Sequence, residues 1–249
     1  MLERLFDDAS LFPPASRPMA EALRAHATFT AGPHRRLAGP FLCPASRLPE
    51  LDACLAAGVP APASVGVVGY DGSSDWRRVF ATHGLVQVEA PARTRVPLPP
   101  GRVHLYVELA PRDDLDRWLD AIAAAGGHRV KVRGTGPTRH AVPSCGWLAE
   151  VLVGCAERRL VLKVAGGADH PFRRRGDPGP HHGIVNLLAA AAAARGGAAT
   201  ATVAGVLAAE EPEAAELAAR AGGSRELVSS IATGSVAAVA AELAARGLL

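Results

Sequence analysis

Val103-His-Leu-Tyr-Val-Glu-Leu-Ala-Pro-Arg-Asp-Asp-Leu-Asp-Arg-Trp-Leu-Asp-Ala-Ile-Ala-Ala-Ala-Gly-Gly-His-Arg-Val-Lys-Val-Arg133 holds the pattern on which the fold turns. Its first seven residues alternate between apolar and polar side chains, the period of a strand. Leu115, Trp118, Leu119 and Ile122 then recur at helical spacing, and Gly126–Gly127 ends the run. From His128 to Arg133 the alternation returns. Strand, helix and strand in this order predict parallel strands joined by a right-handed crossover.

The same order extends in both directions. Phe41–Cys43, Ser64–Val68, Leu85–Glu89, Leu160–Val164 and Leu227–Ile231 also read as strands. Ser73 or Ser74 can cap a helix carrying Trp76, Val79 and Phe80. Ser144 can cap another, with Trp147, Leu148, Val151 and Leu152 facing inward, and Val236–Arg246 reads as a closing helix. No G-x-G-x-x-G follows the first strand, and several strands carry charge internally. A closed (β/α)8 TIM-barrel-like domain of the α/β class is therefore preferred to an open doubly wound sheet. Seven or eight strands can be counted against the eight required, which leaves a complete or a degenerate barrel open. Residues 39–249 are assigned to the barrel. Residues 1–38 are assigned to an N-terminal extension, with a covering helix from Pro18 to about His26.

Composition narrows the partners. The net charge is +3 and aromatics make up 4% of the chain, so no basic, aromatic-studded face for nucleic acid is expected. The most apolar stretch, Ile184–Ala194, is too short to span a bilayer, and Met1–Pro14 lacks the pattern of a signal peptide. Cys43, Cys54, Cys145 and Cys155 show no metal-binding spacing and are read as reduced core residues of a cytoplasmic protein. Self-association into a homo-oligomer stays open.

All but two of the 27 basic residues are arginine. The two lysines, Lys131 and Lys163, lie on successive strands, and lysine, unlike arginine, can become a free amine. Strand parity puts Glu89, Glu108, Lys131, Arg133 and Lys163 on one face, directed into the barrel and towards the carboxyl ends of the strands, where barrel enzymes carry their chemistry. A second ammonium nearby would depress a lysine's pKa, the condition for an imine-forming nucleophile. The competing reading is a structural ion-pair network that fills the interior.

The loop after Lys163, from Gly166 to Gly183, is rich in Gly, Pro, His and Arg. Glu89, Arg133, Gly166, Gly167, His170 and His182 are the candidate substrate-binding residues, with Gly166, Gly167 and His170 placed to hold an anionic group; Arg173–Arg175 read as a solvated basic run. Asp169, His170, His181 and His182 offer metal-ligand types at a spacing that matches no metal motif, so neither a metal nor an organic cofactor is assigned.

Two resemblances accompany this reading. Leu11-Phe-Pro-Pro-Ala, Val130-Lys-Val-Arg, Leu162-Lys-Val-Ala-Gly-Gly with Asp169-His-Pro171, and His182-Gly-Ile-Val-Asn186 resemble an uncharacterised bacterial family with a barrel-like pattern, which implies no function. Lys131-Val-Arg-Gly-Thr-Gly136 and Lys163-Val-Ala-Gly-Gly167 are similar to the paired lysine motifs of class I deoxyribose-phosphate aldolases, although Arg133 stands where that family has a small hydroxyl residue. This resemblance implies a lyase in which Lys131 forms the Schiff base and Lys163 tunes it; Glu108 is added as proton shuttle by position. The alternatives are a metal-dependent barrel hydrolase or isomerase using Asp169, His170 and His182, and a non-catalytic barrel that binds a small anion.

Overall fold

Eight short strands pair side by side, each hydrogen-bonded to the next and the last to the first. The result is a closed parallel barrel in sequence order. A computed structural model of the chain describes residues 2–69, 76–94, 101–111, 113–135, 142–174, 181–210 and 223–249. The expected caps Ser73 and Ser74, the Trp76 side chain, Gly136 and Arg175 lie outside the described residues and side chains.

The strands are β1 (Phe6–Asp8), β2 (Ala38–Pro44), β3 (Val65–Val68), β4 (Leu85–Pro91), β5 (His104–Leu109), β6 (His128–Arg133), β7 (Leu162–Ala165) and β8 (Val228–Thr233). The helices are α1 (Met19–Ala31), α2 (Leu48–Ala56), α3 (Trp76–Phe80), α4 (Leu115–Ala125), α5 (Cys145–Glu157), α6 (Ile184–Arg195), α7 (Thr200–Ala208), α8 (Ser224–Leu227) and α9 (Val236–Ala245). Among the described residues no helix separates β4 from β5. The fold is a TIM-barrel-like α/β domain, closed by eight strands.

The strand that the sequence pattern does not announce is β1. Phe6–Asp8 pairs with β2 on one side and β8 on the other, so part of the expected extension closes the barrel. The helix expected to cover the barrel is α1, which follows β1 as the first helix of the outer ring. It buries Met19, Leu23 and His26, with Met19 and Leu23 packed in the cluster that holds Phe41 and Val65.

Side chains of opposite parity part company at each strand. Val130, Val132, Leu162 and Val164 pack outward against Leu148, Leu152, Leu187 and Ala191 of α5 and α6. Ser144 caps α5 by accepting from the Trp147 N–H at 3.1 Å, and Asp114 caps α4 in the same way. The alanine-rich α6 is buried along most of its length, and its one polar core residue is satisfied. Asn186 accepts from the Arg173 N–H at 3.0 Å and donates to the Val206 and Ala209 carbonyls. No helix among the described residues is long and apolar enough to cross a membrane.

Two loops at the carboxyl ends of β6 and β7 touch backbone to backbone. Gly167 adopts φ +71°, and a Cβ there would lie 1.8 Å from the Gly134 carbonyl oxygen. Only glycine fits such a contact. Gly167→Ala is therefore expected to cost about 3 kcal/mol or more. By contrast Gly127→Ala, at φ +74° with nothing within 4 Å of the added carbon, should cost about 1 kcal/mol from its backbone angle alone. Urea unfolding of both variants checks the difference.

Candidate functional site

Inside the barrel the inward-facing residues of β1 and β4–β7 meet as one chain of alternating charge. Lys163, buried on β7, donates to Asp7 of β1 and to Glu89 Oε1 of β4 at 2.5 Å. Lys131 on β6 donates to the other oxygen of Glu89 at 2.6 Å and to Glu108 Oε2 of β5 at 2.7 Å. Arg133 Nε donates to Glu108 Oε1 at 2.5 Å. Three acids thus answer three bases. A buried ion whose partners are all present escapes the penalty that makes isolated buried charge so costly.

The register explains the meeting. Lys131 and Lys163 are partners across β6 and β7, and Glu108 and Lys131 are partners across β5 and β6. Two ammoniums side by side repel, and Glu89 reaches across the barrel from β4 to separate them, one oxygen to each. Neutral groups complete the interior. Gln87 donates to Asp7 at 3.0 Å and to Glu89 at 3.2 Å, and Ser230 donates to Asp7 at 3.1 Å. The Lys163 ammonium stands 5.5 Å from the centre of the Tyr106 ring. Gly39 and Gly66 make room: a Cβ at the first would fall 2.4 Å from Asp7 Oδ1, and at the second 2.7 Å from Gln87.

Exposure is graded along the chain. Asp7, Lys163, Glu89 and Lys131 are buried, the Glu108 side chain is 22% exposed and that of Arg133, at the end of β6, is 65% exposed. Burial alone would push the Glu89 carboxyl up, but the charges and hydrogen bonds of Lys131 and Lys163 outweigh it and bring the pKa down to about 2. Glu108 is likewise raised by burial and lowered further by Lys131 and then Arg133, ending below its ordinary value. Burial pushes Lys163 down, yet Asp7 and Glu89 prevail and hold it above the usual lysine value. Lys163 therefore reaches Lys131 as a charge already neutralised, which corrects the expectation of a bare second ammonium. Asp7 is the member of this charge chain that sequence reasoning missed.

The other candidates form a separate assembly. Gly166 donates its N–H to the Ala232 carbonyl at 2.8 Å, and the Gly167 carbonyl accepts from the His182 N–H at 2.8 Å, so these glycines brace the loop. His170 meets Glu242 of α9 through Nδ1 at 2.8 Å, and Arg174 pairs with the same carboxylate. His182 is buried with Nε2 2.9 Å from the Pro143 carbonyl oxygen. Burial lowers its pKa against the opposing pull of that hydrogen bond, with smaller contributions from Arg173 and His181, and favours the uncharged ring. Asp169, His170 and His182 do not converge: among the described residues no group of three or more His, Cys, Asp or Glu side chains could hold a metal ion. Burial pushes the thiols of Cys43 and Cys155 up to about 12, leaving them inert.

Compared with protein-family models, curated proteins and solved structures, the chain matches none of them. What the site can do therefore rests on its geometry.

Charge balance makes a direct prediction. Lys163→Met leaves Asp7 and Glu89 short of a cation and should cost about 3–5 kcal/mol. Asp7→Asn combined with Lys163→Met restores neutrality, and the pair should show a coupling of at least about 1 kcal/mol in a double-mutant cycle followed by denaturant unfolding.

Proposed function

We propose that the protein is a barrel enzyme, aldolase-like, that forms an imine between Lys131 and a small anionic carbonyl compound. One observation carries this reading: the Lys131 amine lies between two carboxylates, and the outer one, Glu108, leads through Arg133 to the mouth of the barrel. Arg133 offers a guanidinium fork, largely exposed, to a substrate carboxylate or phosphate. Glu89, below it, holds the amine in place.

The proton moves as follows. A substrate anion that takes Arg133 from Glu108 removes one of the charges keeping Glu108 acidic, so its proton affinity rises. The Lys131 ammonium then passes a proton to Glu108, the neutral amine adds to the carbonyl carbon, and one of its N–H protons moves to the carbonyl oxygen to give the carbinolamine. Glu108 returns its proton to the carbinolamine oxygen, which leaves as water and gives the iminium. Lys163 stays charged throughout, anchoring Glu89. All four cysteines are free thiols, which supports the cytosol as the compartment.

The closed pairing of both lysines favours one rival, a barrel that binds a small anion without chemistry. Borohydride trapping with a panel of small aldehydes and keto acids, plain and phosphorylated, separates them. The expected result is a substrate-dependent mass adduct that peptide mapping places on Lys131, with Glu108→Gln slowing its formation by about 10²–10⁴-fold. No adduct on Lys131 with any member of the panel would reject the imine and leave the binding protein.

A further inference from the structure

The opposite, amino-terminal end of the same strands carries a second concentration of cations. A depression of about 350 Å³ opens there, lined by His104, His128, Arg129, Arg158 and Arg159. Its volume suits a small organic molecule.

Three of these residues have hydrogen-bonding capacity to spare. Arg129 is half-buried, and its guanidinium donates to the Tyr106 hydroxyl at 3.1 Å and approaches His104 Nε2 at 3.0 Å. Neither partner is an acid, and no carboxylate pairs with Arg129 among the described residues. Burial, then the Arg129 charge, lowers the His104 pKa and favours the neutral ring, which accepts through Nε2. His128 Nε2 is shielded from solvent and meets no partner among the described residues. Arg159 is exposed and likewise has no acid beside it among the described residues. Arg158 differs, because Asp120 at 2.7 Å and Asp116 at 3.0 Å answer its charge at the rim.

The backbone of Arg159 supplies an independent observation. It stands just beyond α5 in the left-handed region, at φ +54°. In the same place after α2, α4, α6 and α9 the chain uses Gly58, Gly127, Gly197 and Gly247, all with positive φ. Glycine is the unstrained choice there. Among the described helix ends that take a positive φ, only that of α5 keeps an arginine despite the strain, and this residue lines the depression.

We propose that this basal depression binds a phosphoryl group, either free phosphate or the phosphate end of a small metabolite. Arg129 and Arg159 match its two negative charges. Guanidinium forks suit phosphate geometry. The site is separate from the mouth, and Arg129, through Tyr106, reaches the ring that faces Lys163.

Calorimetric titration of the full chain with inorganic phosphate and with glycerol phosphate, at constant ionic strength, tests this. The Arg133→Gln variant serves as reference, so that the mouth cation contributes nothing. Saturable binding is expected in that reference, and tighter binding of glycerol phosphate would identify an organic phosphate as the ligand, equal binding free phosphate. Adding Arg159→Gly should weaken binding at least about tenfold and, by removing the left-handed strain, raise the Tm of the unliganded protein. Arg159→Lys should keep part of the affinity. Absence of saturable binding in the reference, or affinity unchanged by Arg159→Gly, would overturn the proposal.

Discussion

Electrical neutrality inside the barrel is the constraint on which the rest of the structure depends. Asp7, Lys163, Glu89, Lys131, Glu108 and Arg133 alternate in sign, and each inner member touches two of opposite sign. Removing one leaves a neighbour buried without full compensation, which is far costlier than removing a matched pair. An apolar interior of equal volume could hold a barrel together as well. What the ionic interior adds is definition: each charge accepts few positions, so five strands are locked in a single register.

That register has consequences at the wall of the barrel. Long charged side chains lean in from β1 and β4–β7, and β2 and β3 yield with Gly39 and Gly66. Leu42 lies over Gly66, beside Gln87. The charged side chains thus crowd the side of β1 and β4–β7, while Gly39, Gly66 and Leu42 leave the wall at β2 and β3 small or apolar. The gradient of exposure from Asp7 to Arg133 gives the chain of charges a buried end and a wet end. Proton traffic and anion capture are chemically sensible only at the wet end, where solvent or substrate can replace a protein partner.

The alternation of β5 and β6 makes much of this legible in the amino-acid sequence itself. Parity alone sends Glu89, Glu108, Lys131, Arg133 and Lys163 inward, and the fold joins them into one chain with Asp7. β1 escapes because Phe6–Asp8 is three residues long with two aspartates, poor strand formers that pair here because β2 and β8 flank them. A signal does exist. The readable interior holds three cations against two acids, and neutrality demands a third acid. The glycines after β7 read as an anion cradle, yet Gly167 exists to admit the Gly134 carbonyl; sequence reports a glycine's freedom, not which backbone approaches it. The link from His170 to Glu242 spans 72 residues and leaves no local pattern.

The state of Glu89 tests the neutral chain most directly. Its folded-state pKa lies below the ordinary value of 4.5, so its stabilising contribution is complete above that value and disappears as the pH falls towards about 2. Carbon-13 NMR of labelled glutamate carboxyls, with Glu89 assigned by the Glu89→Gln variant, follows this group alone. The account predicts that the Glu89 resonance keeps its ionised position while the pH falls through 4.5. A midpoint at or above 4.5 would mean that the two lysines do not grip this carboxylate, and the alternating chain would not exist.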